Sequence, residues 1–189
     1  SLVGKAIASG AMYAHGSVWQ ELITNVNDKA STLHFIGLLS DGNVHSNVNH
    51  LESMLRKAKE QGVKKSRIHA LIDGRDVPPT SALEYVERLD NFLKEINADG
   101  SVDYCVASGG GRMNITMDRY NADWDMVKRG WATHVKAEGR LFASMKEAVE
   151  TFRKEKPGIL DQDLPAFVIE RAGAPVGPIM DGNIVIFFN

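Results

Sequence analysis

Apolar residues follow two alternating patterns along this chain. Runs of strand length that are rich in apolar residues occur at residues 33–39, 68–72, 102–107, 166–169 and 184–188. Between these runs, apolar residues return every three or four positions, as they do on one face of an amphipathic helix. The helical pattern covers residues 17–26, 47–61, 80–96, 121–133 and 143–155, and a shorter helical stretch lies within residues 1–16.

Strands that alternate with helices of about 10–15 residues predict βαβ units, in which parallel strands form one sheet with helices on both faces. We therefore expect an α/β fold with a mainly parallel sheet. Alternating residues at Met113–Met117 add a small β-hairpin to this prediction, and Gly109–Gly111 are expected to form the turn before it. Ser17 and Gln20 have the spacing of a capping box, which predicts a helix start at Ser17.

The organisation of the chain predicts one domain with a short lead-in. Residues 1–16 are expected to be a linker helix from another domain, and residues 17–189 the α/β domain itself. The chain begins without methionine and stops at Asn189, directly behind a strand-like run. From this we expect an internal piece of a longer protein.

Composition and charge narrow the classes of partner. The 189 residues are 43% hydrophobic and 24% charged, which is typical of a globular protein. A formal net charge of -2 shows no basic excess, so we expect no nucleic-acid partner. No apolar run approaches the roughly 20 residues of a membrane span, so no membrane partner is expected. The single Cys105 cannot form an internal disulfide, which fits a reducing, cytoplasmic location.

Three polar clusters follow strand-like runs, and they carry the candidate chemistry. They are residues 40–46 (SDGNVHS), residues 73–76 (DGRD), and Gly109–Arg112 together with Asp118–Arg119. In an open α/β sheet, ligands bind in the crevice outside the carboxyl ends of the strands. The clusters therefore predict one pocket, whose mixture of cations and carboxylates suits a small anion that also carries hydroxyl groups.

Each candidate residue has a structural alternative. Arg75 can hold a carboxylate or phosphate while Asp76 accepts a proton from a hydroxyl, or the two can brace their own loop. His45 can donate to a ligand oxygen, or it can cap the next helix. Arg112 and Arg119 can clamp a carboxylate, or they can form a solvated edge. Taken without their neighbours, the residues leave these alternatives open.

The other histidines suggest no site. His34 and His69 lie in strand-like runs and are expected to be satisfied core or edge histidines, whereas His134 is expected on the surface of a helix. A protein metal site needs at least three convergent ligands. We find no such set in the sequence and predict no metal site in this chain.

In their order and spacing, the runs SDGNVHS, DGRDVPPTSA and SGGGRMNITMDRYNADWDMVKRGW resemble the inserted substrate-binding domain of cofactor-independent phosphoglycerate mutases. The resemblance extends from Leu2 to Asn189. It implies a glycolytic isomerase that interconverts 3-phosphoglycerate and 2-phosphoglycerate through a phosphoserine. It also implies a separate phosphatase-like domain that carries the serine and two divalent metal ions, usually manganese. The chain alone would then be inactive.

The resemblance also assigns roles by motif match. His45, Arg75, Asp76, Arg112 and Arg119 correspond to substrate-contacting residues. The arginine pair 112 and 119 would bind the carboxylate, the other three would contact hydroxyl groups, and Asp76 would be the candidate catalytic acid or base. The loop between the paired arginines is one residue longer than in many bacterial members. Two alternatives are a freestanding sugar-phosphate- or nucleotide-binding module and an interaction domain whose charged loops only brace one another.

Overall fold

The computed structural model describes residues 1–117 and 123–189. Within these ranges the helices are α1 Leu2–Ala8, α2 Val18–Asp28, α3 Val48–Glu60, α4 Ala82–Asn97, α5 Trp124–His134 and α6 Met145–Glu155. The strands are β1 Leu33–Leu38, β2 Lys65–Ile72, β3 Asp103–Gly111, β4 Arg140–Phe142, β5 Phe167–Arg171, β6 Ala174–Pro175 and β7 Ile184–Phe187. Short 3-10 helices cover Ala11–Tyr13 and Asp161–Asp163.

The strands form one mixed sheet in the order β4-β5-β3-β2-β1-β7, and β6 pairs with β5 beside this path. Strands β7, β1, β2 and β3 run parallel to one another, whereas β5 runs antiparallel to β3. The predicted α/β fold with a mainly parallel sheet is confirmed. Strands β4 and β6 were not predicted, because three and two residues are too short to show a periodic pattern.

Side chains that alternate along the central strands give the sheet two different faces. Leu33 and Phe35 of β1 lie in the main apolar core, which contains the buried faces of α2, α3, α4 and α6. On the other face, Leu38 of β1 and Leu71 of β2 pack with Ile115 in a smaller cluster. Helix α5 also lies on this second face, as a side-chain hydrogen bond between α5 and β3 shows. Helices therefore cover both faces, as predicted.

The glycine run at the end of β3 corrects one sequence-based expectation. Gly109–Gly111 do not form a turn, since they continue β3 in register with β2. A side chain at Gly109 would collide with the carbonyl oxygen of Ala70, and one at Gly111 would collide with that of Gln162. These glycines therefore serve close packing, and the turn begins only at Arg112.

The small hairpin also lies elsewhere than predicted. Strands β5 and β6 form it, with Arg171 opposite Ala174. Residues Met113–Met117 contain turns and no strand, because the backbone N–H groups of Asn114 and Ile115 bond back to the carbonyl of Gly111. No helix in the described ranges is both long and apolar enough to cross a membrane.

Candidate functional site

Three loops meet at one edge of the sheet, just beyond the carboxyl ends of β1, β2 and β3. The Ser40 hydroxyl donates to Asp73 Oδ2 over 2.6 Å and so joins the first loop to the second. Gly42 lies directly against Asp76, so close that a Cβ added at Gly42 would be only 2.8 Å from the Cβ of Asp76. Arg112, which follows β3, pairs with both aspartates. Ser40 and Gly42 of the first polar cluster, Asp73 and Asp76 of the second and Arg112 of the third thus lie side by side.

Asp73 is the central acceptor of this group. Its Oδ1 receives hydrogen bonds from Arg112 Nη1 at 2.8 Å and from the backbone N–H groups of Arg75 and Asp76 at 3.2 and 3.0 Å. Burial alone would raise the pKa of the carboxyl. The hydrogen bonds from Ser40, Asp76, Arg112 and Arg75 outweigh it and leave the pKa below its ordinary value. Asp73 is therefore ionised at neutral pH, and its hydrogen bonds fix the loop geometry.

Among the described residues, Nη1 is the one side-chain nitrogen of Arg112 that bonds to the protein. Nη1 donates to Asp73 Oδ1 and to Asp76 Oδ2, each at 2.8 Å. Burial alone would lower the pKa of the guanidinium. The bonds to Asp76 and Asp73 raise it by more, so the pKa lies above its ordinary value and the guanidinium stays protonated. Within the described residues, Nε and Nη2 donate to no protein atom. These two nitrogens form the side of the guanidinium that binds a carboxylate through two parallel hydrogen bonds.

Arg75 and Asp76 are more open to solvent than Arg112. Arg75 is exposed, and its closest polar contact runs from Nη1 to the sulfur of Met113 at 3.6 Å. Asp76 is half-buried, with Oδ2 bound to Arg112 and Oδ1 without a partner among residues 1–117 and 123–189. The group therefore offers two guanidinium surfaces and one carboxylate oxygen to an incoming ligand.

His45 lies on the same edge of the sheet but not in this cluster. Its side chain is exposed and makes no hydrogen bond within the described residues. It lines a neighbouring cavity of about 370 Å³ together with His50 and Asn189. It does not cap α3 either, since Asn47 does so by accepting the N–H of Asn49. Arg119 lies outside the described residues, so its predicted role stays a prediction.

Comparison with known proteins shows the family. The sequence profile of the family described as "BPG-independent PGAM N-terminus" matches residues 3–189. The chain belongs to this family. A probable 2,3-bisphosphoglycerate-independent phosphoglycerate mutase of Leptospira interrogans is 53% identical over 188 residues, covering 100% of the chain and 34% of the relative. The Zea mays enzyme of the same name is 48% identical over 190 residues, covering 100% of the chain and 33% of the relative.

Among solved structures, the phosphoglycerate mutase of Leishmania mexicana, crystallised at low cobalt concentration, superposes with a TM-score of 0.93. It is 44% identical to the chain, and the match covers 100% of this chain and 34% of that one. The fold is thus that of one part of a phosphoglycerate mutase. The chain spans about a third of the length of the curated relatives it matches.

Sequence reasoning missed three residues that hold the polar loops in place. Ser40 and Asp73 stand at the ends of their strands within the polar clusters, and only their neighbours were singled out as candidates. Asp161 was missed entirely. It is fully buried, and its Oδ2 accepts the N–H of Ala82 at 2.7 Å while Oδ1 accepts from Arg153 Nη2 at 2.7 Å. Its position in a polar, locally irregular segment gives no sequence signal.

Within residues 1–117 and 123–189, no three side chains of the types His, Cys, Asp and Glu lie close enough together to hold a metal ion. The described residues therefore do not fit a metal ion.

Proposed function

We propose that this chain is the substrate-holding domain of a longer phosphoglycerate mutase that interconverts 3-phosphoglycerate and 2-phosphoglycerate. Residues 1–16 would connect it to a phosphatase-like domain outside this chain. That domain would carry the serine that takes the phosphoryl group and the two divalent metal ions, usually manganese. The present domain would hold the freed glycerate until the phosphoryl group returns to its other hydroxyl.

The observation that carries the proposal is the half-satisfied guanidinium of Arg112. Asp73 and Asp76 fix its Nη1, so Nε and Nη2, which bind no protein atom among residues 1–117 and 123–189, are pre-oriented and need little ordering when a carboxylate arrives. A guanidinium that served only as a brace would have its donors used by the protein. The donor pattern therefore favours a binding role over a purely structural one.

Neighbouring groups provide the remaining contacts that a glycerate needs. Arg75 adds an exposed positive charge beside Arg112, and phosphoglycerate has about three negative charges near neutral pH. Asp76 Oδ1 is available to accept a hydrogen bond from a substrate hydroxyl. His45 and Arg119 complete the set by motif match, and they would contact a hydroxyl and the carboxylate respectively.

The test is a kinetic comparison in the complete protein. We expect the complete protein to convert 3-phosphoglycerate, and the 189-residue chain alone to be inactive. Arg75→Ala and Arg112→Lys should each lower kcat/KM about a hundredfold or more, because a charged hydrogen-bond pair to the substrate is lost. Arg56→Ala is the matched control, since Arg56 pairs with Glu95 on the helical face of the domain.

Three results would contradict the proposal. They are turnover by the isolated chain, an Arg75 or Arg112 variant that retains the parent's kinetics, and a complete protein that does not act on phosphoglycerates. Binding of nucleotides without binding of glycerate compounds would favour the freestanding nucleotide-binding module instead.

A further inference from the structure

A continuous row of hydrogen bonds crosses the sheet on the face opposite the main core. It joins side chains of β1, β2, β3 and α5 and ends in the turn that follows β3. The contacts are Asn183 Oδ1 to His34 Nε2 at 2.9 Å, His34 Nδ1 to His69 Nε2 at 2.9 Å, His69 Nδ1 to Ser108 Oγ at 2.6 Å, Ser108 Oγ to His134 Nδ1 at 2.7 Å, and His134 Nε2 to Thr116 Oγ1 at 3.0 Å. We call these six residues the histidine row.

The histidine row is buried, which corrects the expectation for one of its members. His134 was expected on the surface, but it is only 3% exposed, because α5 turns this side of its last turn toward β3. Burial lowers the pKa of His34 and of His134 to about 4 and that of His69 well below its ordinary value. All three imidazoles are therefore neutral at pH 7, and each has one N–H to donate.

Neutral rings give the histidine row a single direction. The backbone N–H of Met180 donates to the same Asn183 atom as His34 does, so that atom is an oxygen and His34 Nε2 must donate to it. His34 Nδ1 is then an acceptor, which requires a donor at His69 Nε2. The hydrogen-bond donors of the first half of the row all point toward Asn183.

The second half of the row follows from the same reasoning. His69 Nδ1 is left as an acceptor, so the single hydroxyl proton of Ser108 is donated to it. The Ser108 oxygen must then accept from His134 Nδ1. His134 Nε2 is the last acceptor, and the Thr116 hydroxyl donates to it. Every hydrogen-bonding position along the row is satisfied in this arrangement alone.

Thr116, at the open end of the row, has an unusual backbone conformation. Its φ is +73°, a left-handed value that β-branched residues rarely adopt without support from their surroundings. Two features of α5 provide that support. His134 binds the hydroxyl, and Gly130 leaves room for it, since a Cβ at Gly130 would collide with Thr116 Oγ1. The N–H of Thr116 also donates to the carbonyl of Met126 at 3.3 Å.

The turn that Thr116 ends is the one that carries Arg112. The carbonyl of Gly111 accepts the N–H groups of Asn114 and Ile115 at 2.8 and 3.1 Å, so the turn is closed on itself. The side chain of Ile115 is fully buried and anchors the middle of the turn. A change in the backbone of Thr116 would therefore be passed to a short and rigid segment that begins at Arg112.

We propose that Thr116 and His134 are positioning residues, and that the histidine row holds the turn after β3 in the conformation that presents the free side of Arg112. The row fixes His134 in one tautomer and one orientation. His134 then holds Thr116 in its left-handed conformation and thereby fixes the turn. This inference rests on the proposed function of Arg112, and its two tests separate the row from that function.

The first test is independent of any substrate. Long-range ¹H–¹⁵N correlation spectra of the 189-residue chain at pH 7 report which ring nitrogen of each histidine carries the proton. We expect the proton on Nε2 of His34 and His69 and on Nδ1 of His134. A different tautomer at any of the three rings, or a charged ring at pH 7, would overturn the proposed direction of the row.

The second test is kinetic and uses the complete protein. Thr116→Val keeps the shape of the side chain but removes the donor, and we expect kcat/KM to fall about ten- to a hundredfold. Thr116→Ser keeps the hydroxyl and should recover activity to within about threefold of the parent. Because valine is strained at a positive φ, Thr116→Gly provides a second variant that lacks the hydroxyl without that strain, and the same loss is expected for it.

Two comparisons distinguish positioning from a general loss of stability. Thr133→Val makes the same chemical change on α5 at a buried hydroxyl that donates to the carbonyl of Arg129, and it should leave kcat/KM unchanged. In an Arg112→Lys background, Thr116→Val should cause no further loss, because the group that it positions is already gone.

Full additivity, or parent-like kinetics of both Thr116→Val and Thr116→Gly, would overturn the proposal while leaving the proposed function intact. If the complete protein does not act on phosphoglycerates, the positioning role fails with the proposed function, and the tautomers still test the row.

Discussion

At the scale of single residues, the charged groups of the site are paired with one another before a ligand binds. Asp73 accepts hydrogen bonds from four groups, and Arg112 pairs with two carboxylates before any ligand binds. A charged cluster of this kind is costly to bury unless its geometry is complete. Removal of one member therefore affects both the stability of the loops and the direction of the remaining charges.

Asp73→Asn provides a direct test of this dependence. The substitution keeps the shape and one acceptor oxygen but removes the charge opposite the buried Arg112. We expect the free energy of unfolding to fall by about 2–4 kcal/mol, measured by urea denaturation at pH 7. Asp41→Asn is the control, because Asp41 is exposed in the neighbouring loop and its carboxylate accepts the hydroxyl of Tyr85.

The pH dependence of the same variant has a defined sign. The folded-state pKa of Asp73 lies below its ordinary value of 3.8. Its charge therefore stabilises the fold above that value, and this contribution is lost as the pH falls through the lower folded-state pKa. The parent and Asp73→Asn should converge in stability under acid conditions. A difference that stayed constant from pH 7 into that range would argue against an ionised Asp73 in the folded protein.

At the scale of elements, the start of α4 shows how a distant residue completes a local signal. The sequence Pro78–Ser81 predicts a helix start, and α4 does begin at Ala82. However, the Ser81 hydroxyl donates to the carbonyl of Pro78 and caps nothing. The first N–H of the helix is accepted by Asp161, 79 positions further along the chain. Asp161 also accepts a hydrogen bond from Arg153. It therefore connects α4 to α6 and to the loop that carries Arg75.

Asp161→Ala should therefore destabilise the domain more than an ordinary helix cap does. It removes the acceptor of the Ala82 N–H and leaves Arg153 without its buried carboxylate. We expect a loss of about 2–4 kcal/mol in the free energy of unfolding, compared with about 1 kcal/mol for a typical cap. Asp163→Ala in the same 3-10 turn is the matched control, since Asp163 is exposed. Equal losses for the two variants would contradict this role of Asp161.

Individual residues show which parts of the fold and site a sequence can predict. Strand β1 and helix α3 were predicted because their apolar periods are long, and the Ser17 cap was predicted because its partner Gln20 is three residues away. Gly109 was misassigned to a turn, because the atoms that require a glycine there belong to Ala70 and Phe167 of neighbouring strands. His134 was misplaced for a similar reason, since its hydrogen-bonding partner Ser108 lies on another element.

The same distinction applies to the candidate site. The sequence alone predicted that the clusters containing Arg75, Asp76 and Arg112 lie close together, because the carboxyl ends of parallel strands share one edge of the sheet. Their hydrogen bonds could not be predicted. Whether Arg112 uses one nitrogen or all three to bind aspartates depends on ångström-scale loop geometry, and that detail decides between a brace and a binding group.

At the scale of the whole molecule, the three neutral imidazoles of the histidine row make stability depend on pH. His34 and His134 have folded-state pKa values of about 4, against 6.5 for an ordinary histidine, and His69 is lowered in the same direction. Between those values the unfolded chain binds protons that the folded chain does not. The stabilising contribution is therefore complete above pH 6.5 and is lost as the pH falls toward 4.

This shift predicts a steep loss of stability in mild acid. For His34 and His134, a pKa lowered from 6.5 to about 4 corresponds to roughly 3 kcal/mol each, so the free energy of unfolding should fall by several kcal/mol between pH 7.5 and pH 4.5. Urea denaturation across this range measures the loss directly. His15→Gln should leave the slope unchanged, because His15 is exposed and outside the row. As the pH falls, the stability lost through protonation of the histidine row comes before the stability lost through protonation of Asp73, which begins only below the ordinary carboxyl pKa. Acid should therefore unfold the domain through the histidine row while the arginine–aspartate cluster is still charged. A free energy of unfolding that stays constant from pH 7.5 to pH 5 would show that the row does not bury three neutral rings.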